Sequence, residues 1–302
     1  MNKAGLHKIS DHVFWMPPAK PDRPSLCAIV GFDMVVALDA GASSNHAGQF
    51  LDQLSVLGIP DPNYIVLTHW HWDHVFGADR IGGQIVAHHK TARILTELSK
   101  RDWSDAGLKQ QIADGLETKE GAMNIEIELP SPRDVRIAQA SVIFQDSLVL
   151  RLGNVSCQIR HVGGDHAEDS SVIFVEPDRV LFLGDCLSSF FYSPKPYYTV
   201  RRLALLLETL EEFDAELYIE GHNSKAQTKA EFSEDVSKMH LALSVIEETG
   251  PDEEKAFERA KLVTGKSPDE DTSYYLRALI NGFAEQDCGH HSDSSAASIV
   301  TS

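Results

Sequence analysis

The stretch Thr68-His69-Trp70-His71-Trp72-Asp73-His74 restricts this chain more than any other. Three imidazoles and a carboxylate fall within six residues, directly after the apolar run Tyr64-Ile65-Val66-Leu67. That run is short, β-branched and aromatic, and it follows Pro60, Pro62 and Asn63, so it reads as a buried strand. If the backbone stays extended past Thr68, His69 and His71 project to the same side, because strand side chains repeat every second residue. Asp73 and His74 then come from the following turn, before Gly77. Neutral imidazoles and a carboxylate suit zinc or a similar divalent cation, and four candidates exceed what one catalytic ion takes from one segment. The excess implies two adjacent sites, so the chain must supply further ligands, also from strand ends.

Charge narrows the partners. Lys plus Arg number 27 and Asp plus Glu 45, a net charge of −18 over 302 residues. Such a surface repels phosphate backbones and anionic membranes, which disfavours a nucleic-acid substrate. The N-terminal residues lack the apolar core of a secretory signal, and no apolar run approaches the roughly 18 residues of a membrane span. Cys27, Cys157, Cys186 and Cys288 lie far apart with no CxxC pair, which reads as reduced thiols in a cytoplasmic protein.

Taken in order, the chain predicts strands at 13–16, 26–30 and 34–38, then a helix over 46–57 capped by Asn45 and ended by Gly58. A strand at 85–87 and a helix at 91–100 follow, with His88-His89 ending the one and starting the other. Strand, helix, strand, helix is the rhythm of a layered α/β fold. Trp103, Leu108, Ile112 and Leu116 suggest one amphipathic helix within 101–130, read as a connection rather than a lid. Strands are predicted at 135–138, 142–145, 148–152, 155–162, 171–175 and 179–183, a largely antiparallel meander. A helix at 200–213, a strand at 216–219 and helices at 229–249, 253–264 and 271–283 complete a domain spanning 1–285. A polar tail over 286–302, containing His290-His291, is expected to be disordered.

Three further strand ends carry ligand-type residues. Gly163-Gly164-Asp165-His166 follows a strand ending at Val162, Leu181-Phe182-Leu183-Gly184-Asp185 ends in a carboxylate, and Tyr218-Ile219-Glu220-Gly221-His222 ends in a histidine. His166 is preferred to His161, which lies within its strand. Asp165 and Glu220 are either carboxylates that orient imidazoles or solvated groups. HxHxDH, GDH, LFLGD and EGH, in this order, resemble the metallo-β-lactamase superfamily over residues 10–225. The resemblance implies a four-layer αβ/βα sandwich, with added C-terminal helices, and metals at one edge between two sheets. By motif, His69, His71 and His166 would hold one ion, Asp73, His74 and His222 the other, and Asp185 would bridge them.

The implied cofactor is a pair of divalent cations, zinc before iron or manganese. Two such ions lower the pKa of a shared water and polarise a carbonyl, with Asp73 passing the proton to the leaving group. Where β-lactamases of the family typically carry Cys or Ser, this chain has Asp185. With the missing secretion signal, that turns the expectation toward small esters, lactones and thioesters, as in the lactonase-like and glyoxalase II-like branches. The alternatives are an iron-dependent thiol or persulfide dioxygenase on the same scaffold and a metal-binding module without turnover. The aromatic segment Phe190 to Tyr198 either lines the pocket, with Tyr192, Tyr197 or Tyr198 assisting the carbonyl oxygen, or packs under the C-terminal helices. Those helices either cover the site or form a homodimer face. Cys186 reads as a packed thiol.

Overall fold

The computed structural model describes residues 5–289, with side chains through Phe283. Two sheets form. The first, in spatial order, comprises β1 (His7–Lys8), β2 (Val13–Met16), β3 (Leu26–Val30), β4 (Val35–Leu38), β5 (Tyr64–Val66), β6 (Gln84–His88) and β7 (Val142–Phe144). The second contains β8 (Ser147–Arg151), β9 (Ser156–His161), β10 (Ser171–Glu176), β11 (Val180–Gly184), β12 (Leu217–Glu220) and the edge strand β13 (Gln227–Thr228). Helices α1 (Ser44–Val56), α2 (Trp72–Val75), α3 (Ala78–Ile81), α4 (His89–Leu98), α5 (Asp105–Ala113) and α6 (Lys119–Glu128) belong to the first half. Helices α7 (Val200–Glu211), α8 (Lys229–Thr249), α9 (Glu253–Thr264) and α10 (Glu270–Gly289) belong to the second.

Alternation along the central strands sorts side chains into three apolar layers, which is why the architecture is helix, sheet, sheet, helix. Leu26 and Ala28 of β3 face the helices of the first half, while Cys27 and Ile29 face the other sheet. Val180 and Phe182 of β11 enter the same inter-sheet core, and Leu181 and Leu183 pack under α7, α8 and α10. This is the expected αβ/βα sandwich.

Strand direction sets where the chemistry lies. β4, β5 and β6 run parallel, as do β11 and β12, so their carboxyl ends gather at one edge. There the Ser171 amide donates to the Thr68 carbonyl at 2.9 Å, and the Gly221 amide to Gly184 at 2.9 Å. The first bond ties one sheet to the other beside the histidine cluster.

Four local expectations are corrected. The cap of α1 is Ser43, whose side chain accepts the His46 amide at 3.0 Å, while Asn45 accepts from Arg23 instead. Residues 101–130 hold two helices rather than one. Gly115 breaks the first at φ +71°, and Thr118 caps the second by accepting from the Gly121 amide at 2.9 Å. Residues 135–138 pair with no strand, because β7 occupies the edge beside β6, and Val135, Ile137 and Ala138 pack on the helix side instead. The tail expected from Gln286 overlaps α10 as far as Gly289, and the remainder, His290-His291 included, lies outside the described residues. No described helix is long and apolar enough to cross a membrane.

Phe182 is fully buried between the sheets. Phe182→Ala is expected to cost about 3–5 kcal/mol, read as a lower denaturant midpoint with an unchanged slope.

Candidate metal centre

The strand ends deliver two adjoining groups. Ligand atoms of His69, His71 and His166 lie within 4.8 Å of one another, as do those of Asp73, His74, Asp185 and His222. Asp185 joins the groups. Its Oδ2 lies 3.2 Å from His74 Nε2, 3.3 Å from His222 Nε2 and 3.6 Å from His166 Nε2. Asp73 Oδ2 lies 3.1 Å from His222 Nε2 and 3.3 Å from His74 Nε2. All seven ligands expected from the sequence are therefore brought together.

The bonds behind the imidazoles decide which nitrogens face inward. Asp39 directly follows β4 with a φ of +58° and is fully buried. It accepts the Thr68 amide at 2.7 Å and the Thr68 hydroxyl at 2.9 and 3.0 Å. That hydroxyl, having donated its proton, accepts from His69 Nδ1 at 3.0 Å, which leaves the lone pair of His69 on Nε2. Nε2 faces His71 Nδ1 at 2.9 Å. Asp39 also accepts from His74 Nδ1 at 2.7 Å, turning His74 Nε2 toward Asp73 and Asp185. His166 Nδ1 donates to the Ser189 carbonyl at 3.3 Å. Asp39 thus orients one imidazole of each group. The sequence reading missed it, although Val35 to Leu38 followed by Asp39 repeats the pattern that exposed Asp185.

Electrostatics match a cation site. Burial, reinforced by neighbouring histidines, holds His69 and His71 well below the usual imidazole range, so both are neutral donors of lone pairs. Burial opposes ionisation of Asp73 and Asp185 too, but the charges and hydrogen bonds of His74 and His222 together outweigh it and lower both carboxyls. His222 is disfavoured as a cation by desolvation, yet the Asp185 charge and the hydrogen bonds that the ring donates to Asp185 and Asp73 raise it to about 11. Buried His166 Nε2 and Asp185 Oδ1 have no hydrogen-bond partner. Inward lone pairs, uncompensated buried acceptors and an N/O donor set fit a pair of divalent cations.

Two glycines make room. Gly184 has φ +54°, and a Cβ there would lie 2.7 Å from Thr68 Oγ1. A Cβ at Gly221 would lie 2.1 Å from Asp185 Oδ1.

Other sequence candidates fall elsewhere. His161 Nε2 donates to the Glu168 carbonyl at 2.8 Å and its ring stacks on that of His88 at 3.8 Å, outside both groups. Asp165 neither orients an imidazole nor sits in solvent; it accepts the Thr199 amide at 2.8 Å and hydroxyl at 2.9 Å at the start of α7. Glu220 accepts from Asn223 at 3.2 Å. The Cys186 thiol is buried in the core beneath α7, and burial pushes its pKa up.

Above the ligands opens a cavity of about 960 Å³. Phe191 and Tyr192 form one wall, their rings 5.3 and 5.7 Å from that of His71. Glu117, Glu120 and Asn124 line a second side, so the 101–130 segment is a wall of the site rather than a plain connection. Residues of α10, among them Tyr274 and Asn281, cover a third. Of the three tyrosines, Tyr192 and Tyr198 line the cavity. Tyr198 is buried and spends its hydroxyl on the Leu187 carbonyl at 2.7 Å, and Tyr197 pairs its backbone with Phe190 away from the cavity lining.

Two outcomes follow. Asp39→Asn is expected to weaken metal binding by about 10–100-fold, measured by competition with a chromophoric chelator. Because His222 is raised to about 11, binding at neutral pH must expel its proton, so affinity should rise with pH toward that value. Calorimetry in buffers of different ionisation enthalpy would show proton release.

Comparison with known proteins agrees with the geometry. No curated protein matches the chain. Among solved structures, a metallo-β-lactamase from Pontibacter korlensis superposes with a TM-score of 0.56 at 18% identity, covering 77% of this chain and 96% of its own. A metallo-β-lactamase family protein from Thermus thermophilus gives 0.57 at 16% identity, covering 93% and 95%. The inverting sec-alkylsulfatase Pisa1 from Pseudomonas sp. gives 0.61 at 15% identity, covering 97% of this chain but 52% of its own. The profile of the metallo-β-lactamase superfamily matches residues 31–222, which carry all seven candidate ligands, and the chain belongs to that superfamily.

Proposed function

We propose that this protein is a metal-dependent hydrolase that holds two zinc ions and cleaves a small ester, lactone or thioester. The observation that carries this reading is the juxtaposition of two ligand groups, joined at Asp185, on the floor of a cavity large enough for a small molecule. When bound, two such cations supply a water of lowered pKa and polarise the scissile carbonyl.

The chain's own groups do the rest. Asp73, held ionised between His74 and His222, takes the proton of the attacking water on its carboxylate and returns it to the leaving group. Tyr192 is pushed well above the usual phenol range, first by burial and then by Glu117 and Asp73. It therefore keeps its proton at any working pH and serves as a hydrogen-bond donor to the substrate carbonyl. Phe191 and the Tyr192 ring shelter the acyl group from water.

Lining charge supports neutral substrates. Glu117, Glu120, Glu270 and Asp271 face the cavity against Lys195 and Arg277. That excess of carboxylates opposes sulfate and phosphate esters, as the chain's net charge of −18 opposes nucleic acids. Among the described side chains, Cys27, Cys157 and Cys186 are buried and free, which fits a reducing, cytoplasmic setting.

The test couples metal content to a panel of lactones, thioesters, carboxylic esters, alkyl sulfates and β-lactams. Zinc near two equivalents with turnover of a neutral acyl substrate is expected. Iron with oxygen consumption, or no turnover across the panel, would overturn the reading. Asp185→Asn should lower kcat/KM at least about 100-fold, and Tyr192→Phe about tenfold, the scale of one hydrogen bond.

A further inference from the structure

His222 stands apart from the other ligands. Its side chain is 39% exposed, whereas those of His74, His166, Asp73 and Asp185 are between 0 and 8%. It follows β12, which has only the two-residue strand β13 on its outer side. Packing alone does not hold its ring.

What surrounds it is the loop before β3. The Ser25 amide donates to the Gly221 carbonyl at 2.6 Å, and the Ser25 hydroxyl to the Glu220 carbonyl at 2.9 Å. Three residues earlier, Asp22 Oδ1 lies 3.7 Å from His222 Nδ1, the nitrogen opposite the one that faces Asp73 and Asp185. Asp22 is itself held, its Oδ2 accepting from Asn124 of α6 at 3.1 Å. The adjacent Arg23 grips Glu128, on the same helix, through Nε at 2.9 and 3.0 Å and Nη2 at 2.8 Å, and Ser43 also donates to Glu128.

We propose that Asp22 is a positioning residue for His222, and that α6 holds it in place through Asn124 and Glu128. This rests on the reading of two bound cations. The carboxylate 3.7 Å behind Nδ1 favours the proton there electrostatically and leaves the Nε2 lone pair for the second ion, a looser counterpart of the 2.7 Å bond that His74 donates to Asp39. The arrangement spans three parts of the chain: a ligand that follows a strand of the second sheet, a carboxylate from the β2–β3 connection of the first, and an amide from a wall of the cavity. It makes the second site, not the first, depend on α6.

The test is metal titration of the full chain with Co²⁺ and Zn²⁺. In D22N the remaining carbonyl oxygen keeps the bond from Asn124, while the amide nitrogen turns its hydrogens toward Nδ1. That favours the tautomer with its proton on Nε2, the wrong side for a ligand. D22N is expected to weaken the second equivalent by about 10–100-fold and to leave the first unchanged. N124A, which frees Asp22 without touching a ligand, is expected to give a smaller loss at the same equivalent. The thermal midpoint of each variant before metal addition, unchanged from wild type, separates positioning from misfolding. If wild type takes up two ions and D22N binds both as tightly, or loses both equally, the role assigned to Asp22 is overturned. If wild type takes up fewer than two, the two-cation reading itself fails.

Discussion

The buried carboxylate of Asp39 organises the site. Through the Thr68 hydroxyl it sets the proton of His69, and directly it sets that of His74, so one residue aims an imidazole into each ligand group. A buried carboxylate without partners would be costly. Here the Thr68 amide, the Thr68 hydroxyl and the His74 ring satisfy it, and the same bonds draw the end of β4 onto the end of β5. Gly184 leaves no side chain at this point, which lets β11 approach Thr68 and bring Asp185 to the cluster. Structural bond and chemical orientation are the same interaction.

Electrostatics follow from that packing. His69 and His71, buried beside other imidazoles, are driven neutral, while His74 and the more exposed His222, both beside Asp73 and Asp185, are driven cationic. One group thus waits as lone pairs and the other as two ion pairs. The two differ in what a cation must displace on entering.

Much of this was legible in the sequence because ligands are few in type and sit where strands stop. His69 to His74, His166, Asp185 and His222 each follow an apolar run, and residue identity with position suffices to find them. Asp39 follows such a run too, but a single aspartate before Ala40-Gly41 also reads as a turn. Its role depends on a contact with His74, which the sequence separates from it by 35 positions. The walls were harder. Glu117 and Asn124 face the cavity because Gly115 breaks a helix and redirects the chain, and no periodicity reports that. Tyr192 and Tyr198 both line the cavity, but the Tyr198 hydroxyl is spent on the Leu187 carbonyl, a contact that composition does not report.

The amide of Ser171 bonded to the carbonyl of Thr68 is a polar link joining the two halves at this edge. Ligands contributed by both halves add to it, since Asp185 and His222 come from one and His69 to His74 from the other. Ions seated there act as rivets across a seam, and their binding energy adds to the work of parting the layers. A chain starved of metal therefore faces easier separation of its halves, and cellular metal supply becomes a factor in how long each molecule survives.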